Sequence, residues 1–358
     1  MEHLYPLTFE PELKEKVWGG RRLGQVLGKA LPPDGPIGES WEVHGGSIVA
    51  SGAHAGQTLD EVRKQWGEQL LGSRVSGEIF PLLFKYIDAS EYLSVQVHPD
   101  DDYAQAHTGY PYGKTEAWYI LHAEPGAQLV HGWNAPTTPE EVAKAVRQTR
   151  LEDLLEYVPV SAGDVVFVPA GRVHAIGSGV VLGEIQQNSD TTYRLYDWGR
   201  VGLDGQPREL HVEESLRTLY YGETDRHKIE PLEIRENRSR RKVLVACRYF
   251  VLESIEGSGE CDLPHSDSFE LLSPLGASAR LCWESGEATL APGQTALRPA
   301  GLRECSLQAE GDFKLLRMYV PDLRSDVVAP LRSAGYSDEA IAQVGGDSDH
   351  SDLRTLLA

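Results

Sequence analysis

The sequence predicts a mainly β fold, a sandwich or barrel decorated with helical insertions. Three observations carry this. Short β-branched runs recur along the chain: DVVFVPAG (164–171), GVVLGEIQQ (179–187), KVLVACRYFVLESIEG (242–257) and KLLRMYVP (314–321). The 36 Gly and 21 Pro punctuate those runs as turn formers. Helical patterns interrupt the strands without the regular strand–helix alternation that a parallel sheet needs.

The chain has 358 residues, enough for about two domains that each bury a core. Apolar residues at 41% and charged residues at 25% are ordinary for a globular protein. A formal net charge of −20 argues against nucleic acid or an anionic membrane surface as the main partner. No apolar run approaches the roughly 18 residues of a membrane span. The start, MEHLYPLTFEPEL, has no basic stretch followed by an apolar one, so no leader is expected. Cys247, Cys261, Cys282 and Cys305 form no CxxC pair and read as small core residues in a reducing compartment. A cytoplasmic location is expected, with the chain a monomer or a small homo-oligomer.

Four helical patterns stand out. TLDEVRKQWGEQLLG (58–72) starts at Thr58 as N-cap and stops at Gly72. TTPEEVAKAVRQ (137–148) has a Thr cap, Pro139 in its first turn, and Glu140 and Glu141 at the positive end of the helix dipole. LEDLLEY (151–157) and HVEESLRTLYYG (211–222) read as two more. An internal echo links the halves: GDVVFVPAGRVH (163–174) and GQTALRPAGLRE (293–304) share G-x5-P-A-G, each a strand entered from a Gly turn and closed by Pro. The first copy ends on His174 and the second on Glu304. A catalytic β domain over 1–235, a second β domain over 236–321 and a helical tail over 322–358 are expected. The tail reads as one or two short helices serving packing or assembly.

LSVQVHP (93–99), read as a strand, puts Ser94, Gln96 and His98 on one face and Leu93, Val95 and Val97 on the other. The apolar set claims the core, so the polar set faces a cavity or solvent. KTEAWYI (114–120) repeats the pattern with Lys114, Glu116 and Trp118. With His174 these segments offer two imidazoles and a carboxylate, a ligand set for a divalent metal to which Gln96 could add an amide oxygen. His107, His122 and His131 lie nearby as competitors, and a lone strand histidine is more often hydrogen-bonded than metal-bound.

The segment G-x5-P-x4-H at Gly163, Pro169 and His174 resembles the second motif of the cupin superfamily, double-stranded β-helix (jelly-roll) barrels that hold a metal inside. More closely, the chain resembles the type I mannose-6-phosphate isomerases of the short bacterial form. The similarity lies in VWGGRRL (17–23), IGESWEV (37–43), FPLLFKYIDA (80–89), LSVQVHPDD (93–101), YGKTEAWYI (112–120) and the run from 168 to 200 that contains SDTTYR. It covers nearly everything up to about 210 and, more weakly, the second β-rich region. Gln96 stands where the wider superfamily has a first His, and Glu116 comes unusually late after His98.

The resemblance implies two cupin-type barrels, the second degenerate, and one zinc ion per chain on Gln96, His98, Glu116 and His174. It implies interconversion of mannose 6-phosphate and fructose 6-phosphate through an enediol, with a hexose phosphate as the small-molecule partner. Lys114 becomes the proton-transfer candidate, sharing its face with Glu116. Asp190 is implied in ring opening or hydroxyl positioning, and Arg194 in binding anionic charge, to which a guanidinium fork is suited. At −20 the chain repels a dianionic substrate unless Lys85, Lys114, Arg194 and the metal make the pocket locally positive. Ser94 is a phosphate donor candidate, and Glu39 and Trp18 are candidates for shaping the pocket. Two readings compete: a 2-His-1-carboxylate iron oxygenase, and a non-catalytic metal-binding cupin that senses sugar phosphates.

Overall fold

The computed structural model describes residues 3–236 and 238–358. Its strands form three antiparallel sheets. The first half contributes a five-stranded sheet in the order Tyr193–Tyr196, Val95–Val97, His174–Ile176, Gln128–Trp133 and Leu155–Pro159. It also contributes a six-stranded sheet in the order Glu12–Gly20, Ile37–Val43, Leu82–Ala89, Val180–Gln187, Glu116–Ala123 and Val165–Val168. These two sheets face each other across a shared core in which Ile87, Trp118, Ile120, Val166 and Leu182 of one meet Leu129 and Ile176 of the other.

Period-two alternation decides what each face sees. On the outer face of the five-stranded sheet Val95, Val97, Val130 and Ala175 pack with Val142 and Leu219 beneath the helical insertions. On the outer face of the six-stranded sheet Phe84, Tyr86, Ala117, Tyr119 and Ile185 pack with Leu252, Leu271, Leu316 and Met318 of the second half. Both sheets are therefore covered outside, and their remaining alternate residues turn into the space between them.

The second half forms a nine-stranded sheet. Its longest strand pair sets Val251–Asp262 antiparallel to Ser306–Tyr319, and it also holds Leu7–Thr8 from the start of the chain and Leu232–Arg235. It has its own apolar core around Ile255, Leu272, Leu281 and Leu315. Beside that core lies a buried charge network. Arg317 bridges Glu253 and Glu270 at 2.7 and 2.6 Å, Arg298 reaches Glu270 at 3.2 Å, and Arg241 reaches Glu253 at 2.7 Å. The two echo segments fold alike, each a strand (Val165–Val168, Ala296–Arg298) followed by a Pro-Ala-Gly turn and preceded by a glycine at positive φ, Gly163 and Gly293. His174 is buried and Glu304 exposed, so only the first copy turns its final residue inside.

The predicted helices need three corrections. Residues 58–72 form two helices, Leu59–Trp66 and Glu68–Leu71, because Gly67 at φ 54 breaks the run; Thr58 and Glu61 make a full capping box. The 151–157 segment is a single 3₁₀ turn, Leu151–Leu154, that runs into the strand Leu155–Pro159. Seven residues make a poor helix alone, and the open edge of Gln128–Trp133 satisfies their backbone instead. The tail holds four short helical segments, Leu323–Val328, Ala329–Ser333, Asp338–Gln343 and Asp352–Leu357. The helices Pro139–Arg147, capped by Thr138, and Val212–Thr218 lie where expected. The run 242–257 is two strands joined by a tight turn that Cys247 and Phe250 close. All four cysteines are free. None of the described helices is long and apolar enough to cross a membrane.

Candidate active site and metal centre

The site lies where both sheets turn polar side chains into the space between them. Gln96 sits directly opposite His174 on one neighbouring strand and opposite Arg194 on the other. Directly opposed residues share a face, so the five-stranded sheet sends all three inward. The six-stranded sheet answers in two rows. Lys85, Glu184 and Trp118 stand in register across three strands, and Glu116 stands opposite Gln186 in the next inward row.

His98, Glu116 and His174 offer ligand atoms within 4.8 Å of one another, and all three are buried. Each histidine has its far nitrogen committed. His98 Nδ1 donates to the Thr191 carbonyl at 2.9 Å and His174 Nδ1 to the Arg172 carbonyl at 2.8 Å. A carbonyl can only accept, so each Nδ1 carries the proton and each Nε2 turns a lone pair to the centre. Gln96 Nε2 lies 3.3 Å from His174 Nε2 and 3.5 Å from His98 Nε2, which brings its amide into the same cluster. Neither Glu116 oxygen has a directed hydrogen bond although both are buried. A buried carboxylate whose cationic partner among the described residues is Lys114 alone, 2.9 Å from Oε1, still faces two imidazole lone pairs, and a divalent cation would satisfy all three groups at once. The donor set fits zinc.

Electrostatics agree. Burial, with the Lys114 charge beside it, depresses His98 to about 3, and burial also lowers His174, so both rings stay neutral and able to ligate. Burial alone would raise Glu116, but the Lys114 ammonium beside it holds it well below the usual carboxylate range. Lys114 Nζ lies 2.9 Å from Glu116 Oε1 and 3.3 Å from His98 Nε2. Lys114 precedes the strand that begins at Glu116, so a loop rather than the strand face presents it.

Lys85 Nζ lies 2.9 Å from Glu184 Oε1, and Glu184 Oε2 accepts from Trp118 Nε1 at 2.8 Å. Burial works against the Lys85 charge, but Glu184, Glu39 and Glu116 outweigh it and hold its pKa above the ordinary lysine value. Glu184 was not singled out in the sequence; its signal was its place opposite Lys85 in the inward row. Glu39 is buried, accepts from Trp41 Nε1 at 2.7 Å and stands 3.5 Å from Lys16. Ser94 Oγ donates to Gln96 Oε1 at 3.3 Å.

Three candidates stand further out. Asp190 is exposed. Arg194 is half-buried, with Nη1 donating to the Glu209 carbonyl at 2.7 Å. Trp18 is buried in the apolar core shared with Trp118, where its six-membered ring covers Gly38. Of the competing histidines, His131 donates Nε2–H to the Phe167 carbonyl at 3.0 Å and contacts His227, which makes it part of the frame. The three-residue cluster alone would suit a 2-His-1-carboxylate iron site equally well; the two lysines crowded against it suit an anionic substrate.

Comparison with known proteins separates these readings. Residues 7–131 match the model of the phosphomannose isomerase type I catalytic domain. The chain is 37% identical over 316 residues to the probable mannose-6-phosphate isomerase GmuF of Bacillus subtilis, covering 87% of this chain and 98% of that one. It is 35% identical over 315 residues to the mannose-6-phosphate isomerase of Streptococcus mutans, covering 87% and 97%. The crystal structure of the B. subtilis mannose 6-phosphate isomerase superposes with a TM-score of 0.82 at 31% identity, over 88% of this chain and 99% of that one. With a triad able to hold a metal, a flanking lysine pair and this extent of similarity, the chain belongs to the type I phosphomannose isomerase family.

Proposed function

We propose that the chain interconverts mannose 6-phosphate and fructose 6-phosphate, using a divalent metal, zinc by preference, held by His98, Glu116 and His174 with Gln96 completing the set. The observation that carries the metal is the convergence of the buried Glu116 carboxylate, paired with Lys114 alone among the described residues, and two imidazoles whose Nδ1 protons are already committed, so that both Nε2 lone pairs face it. When bound, the metal supplies a Lewis acid that stabilises negative charge on the oxygens of the reacting carbons. The chain's own residues do the rest. Lys114, as the free amine, takes the proton from C2 of the open-chain aldose and, as the resulting ammonium, returns it at C1 of the enediol, while the hydroxyl proton moves from O2 to O1 in compensation. Lys85 and Arg194 supply positive charge to a dianionic substrate, Ser94 a hydroxyl donor, and Glu184 and Glu39 keep Lys85 charged. Asp190, exposed at the end of its strand connection, is the group for ring opening from the solvent side.

We infer a matching architecture. The facing five- and six-stranded sheets form a cupin-type barrel that contains the site, the nine-stranded sheet is its degenerate counterpart, and 322–358 is an appended tail. Isomerisation followed on one sample before and after chelation tests the assignment. Activity lost with the chelator and restored by zinc is expected; a folded, metal-loaded sample without turnover would overturn it.

A further inference from the structure

The tail 322–358 contributes no residue to the site described above, yet it touches the turn that holds two of the ligands. Gly346, at φ 102, brings the tail backbone against Phe167, where an added Cβ would lie 2.5 Å from the ring. The Val344 carbonyl accepts from Ala246 N at 2.9 Å, so the tail is also pinned to the nine-stranded sheet. Immediately after those anchors Asp347 is buried and ion-paired with Arg172, the pair also engaging His350 and Thr224.

Arg172 belongs to the Pro-Ala-Gly turn between two strands. Its own carbonyl accepts the His174 Nδ1 proton at 2.8 Å, fixing that ring's tautomer and direction. Its neighbour Gly171 donates its N–H to the His98 carbonyl at 2.9 Å. One turn therefore holds one ligand by its ring and another by its backbone. The side chain that sets the turn's position is a guanidinium only 1% exposed. Its one carboxylate partner among the described ion pairs comes from the tail.

We propose that Asp347 is a positioning residue for the metal centre, acting through Arg172 on His174 and His98. Removing its charge frees the buried guanidinium to shift the turn, and the two imidazoles lose their shared aim. The proposal rests on the metal reading above. Partners that orient metal ligands typically change metal affinity by about 10–100-fold.

The test measures zinc affinity directly, by competition with a chromophoric chelator, on purified metal-free protein. Asp347→Asn is expected to weaken zinc binding about tenfold. Asp352→Asn is the control: it breaks another tail ion pair, to Arg248, that does not touch the turn, and is expected to lower thermal stability while leaving zinc affinity within twofold. Parent-like affinity in folded Asp347→Asn overturns the proposal, and so does an equal loss in both variants, which would mark a general effect of a loosened tail. If Asp347→Asn does not fold, His350→Ala decides, since His350 is partly exposed and braces Asp347 at 2.7 Å: weaker zinc binding supports the proposal and unchanged binding overturns it. A parent protein that binds no zinc refutes the metal reading itself, an outcome distinct from all of these.

Discussion

Glu184 stands directly across the strand pair from Lys85, its Oε1 2.9 Å from the ammonium, with both side chains buried. A buried ion pair adds little stability overall, but breaking one is expensive because a charge is left unmatched in a low dielectric. Lys85→Met is therefore expected to lower unfolding stability by about 3–5 kcal/mol. Lys85→Met with Glu184→Leu removes both charges and should recover most of that loss. Denaturant unfolding of the parent, single and double variants checks this, and a double variant no better than the single would refute it.

Lys114 and Arg194 separate by kinetics. Lys114→Ala is expected to cut kcat by about 10²–10⁴-fold, the usual worth of a positioned proton-transfer group. Its zinc affinity should hold or improve, because the ammonium 2.9 Å from Glu116 Oε1 competes with a dication. Arg194→Ala is expected to act mainly on KM, as loss of a charge contact made before the chemical step. Steady-state kinetics on metal-replete protein distinguishes the two, and normal turnover in Lys114→Ala would remove it from the reaction.

Acid should destabilise the metal-free protein across a definite window. The folded state keeps His98 unprotonated down to about 3, and burial also depresses His174 and His131, whereas unfolded imidazoles bind protons near 6.5. The unfolded state thus binds more protons below 6.5, and stability falls as pH drops from there toward 3. Each such group contributes up to roughly 1.4 kcal/mol per pH unit within the window. Denaturant midpoints between pH 8 and pH 5 are expected to fall, with a shallower slope for His98→Gln. A flat profile would contradict neutral burial of these rings.

Metal binding should appear as stability. A ligand at one hundred times its Kd adds about 2.7 kcal/mol to the native state. Added zinc is expected to raise Tm in the parent protein and to leave His174→Ala unchanged. A normal zinc-dependent rise in His174→Ala would take His174 out of the ligand set.

How much was legible follows from what local pattern encodes. Alternation in LSVQVHP put Ser94, Gln96 and His98 opposite the valines, and the structure buries Val95 and Val97 under the helices and turns Gln96 inward, although the paired strand is only Val95–Val97. The caps at Thr58 and Thr138 were readable because a capping box is complete within four residues. The 151–157 segment misled because its leucines suit a helix as well as a strand, and only the open edge of Gln128–Trp133 decides. Glu184 was invisible as a site residue because GVVLGEIQQ names no partner; its meaning comes from Lys85, ninety-nine positions earlier and directly opposite. Arg172 was hidden for the same reason, since nothing near it in sequence announces Asp347.

Arg172 and Asp347 are 175 positions apart. Translation proceeds at about 5–20 residues per second, so residues 96 to 174, with every proposed ligand among them, emerge on the order of ten seconds or more before the carboxylate that neutralises Arg172. During that interval the nascent barrel has either to leave the guanidinium in water, with the Pro-Ala-Gly turn undocked, or to bury it unmatched. The first is far cheaper. Maturation of the metal centre is in that case a late event in the life of the new chain, gated by the arrival of its final segment rather than by the supply of the ion.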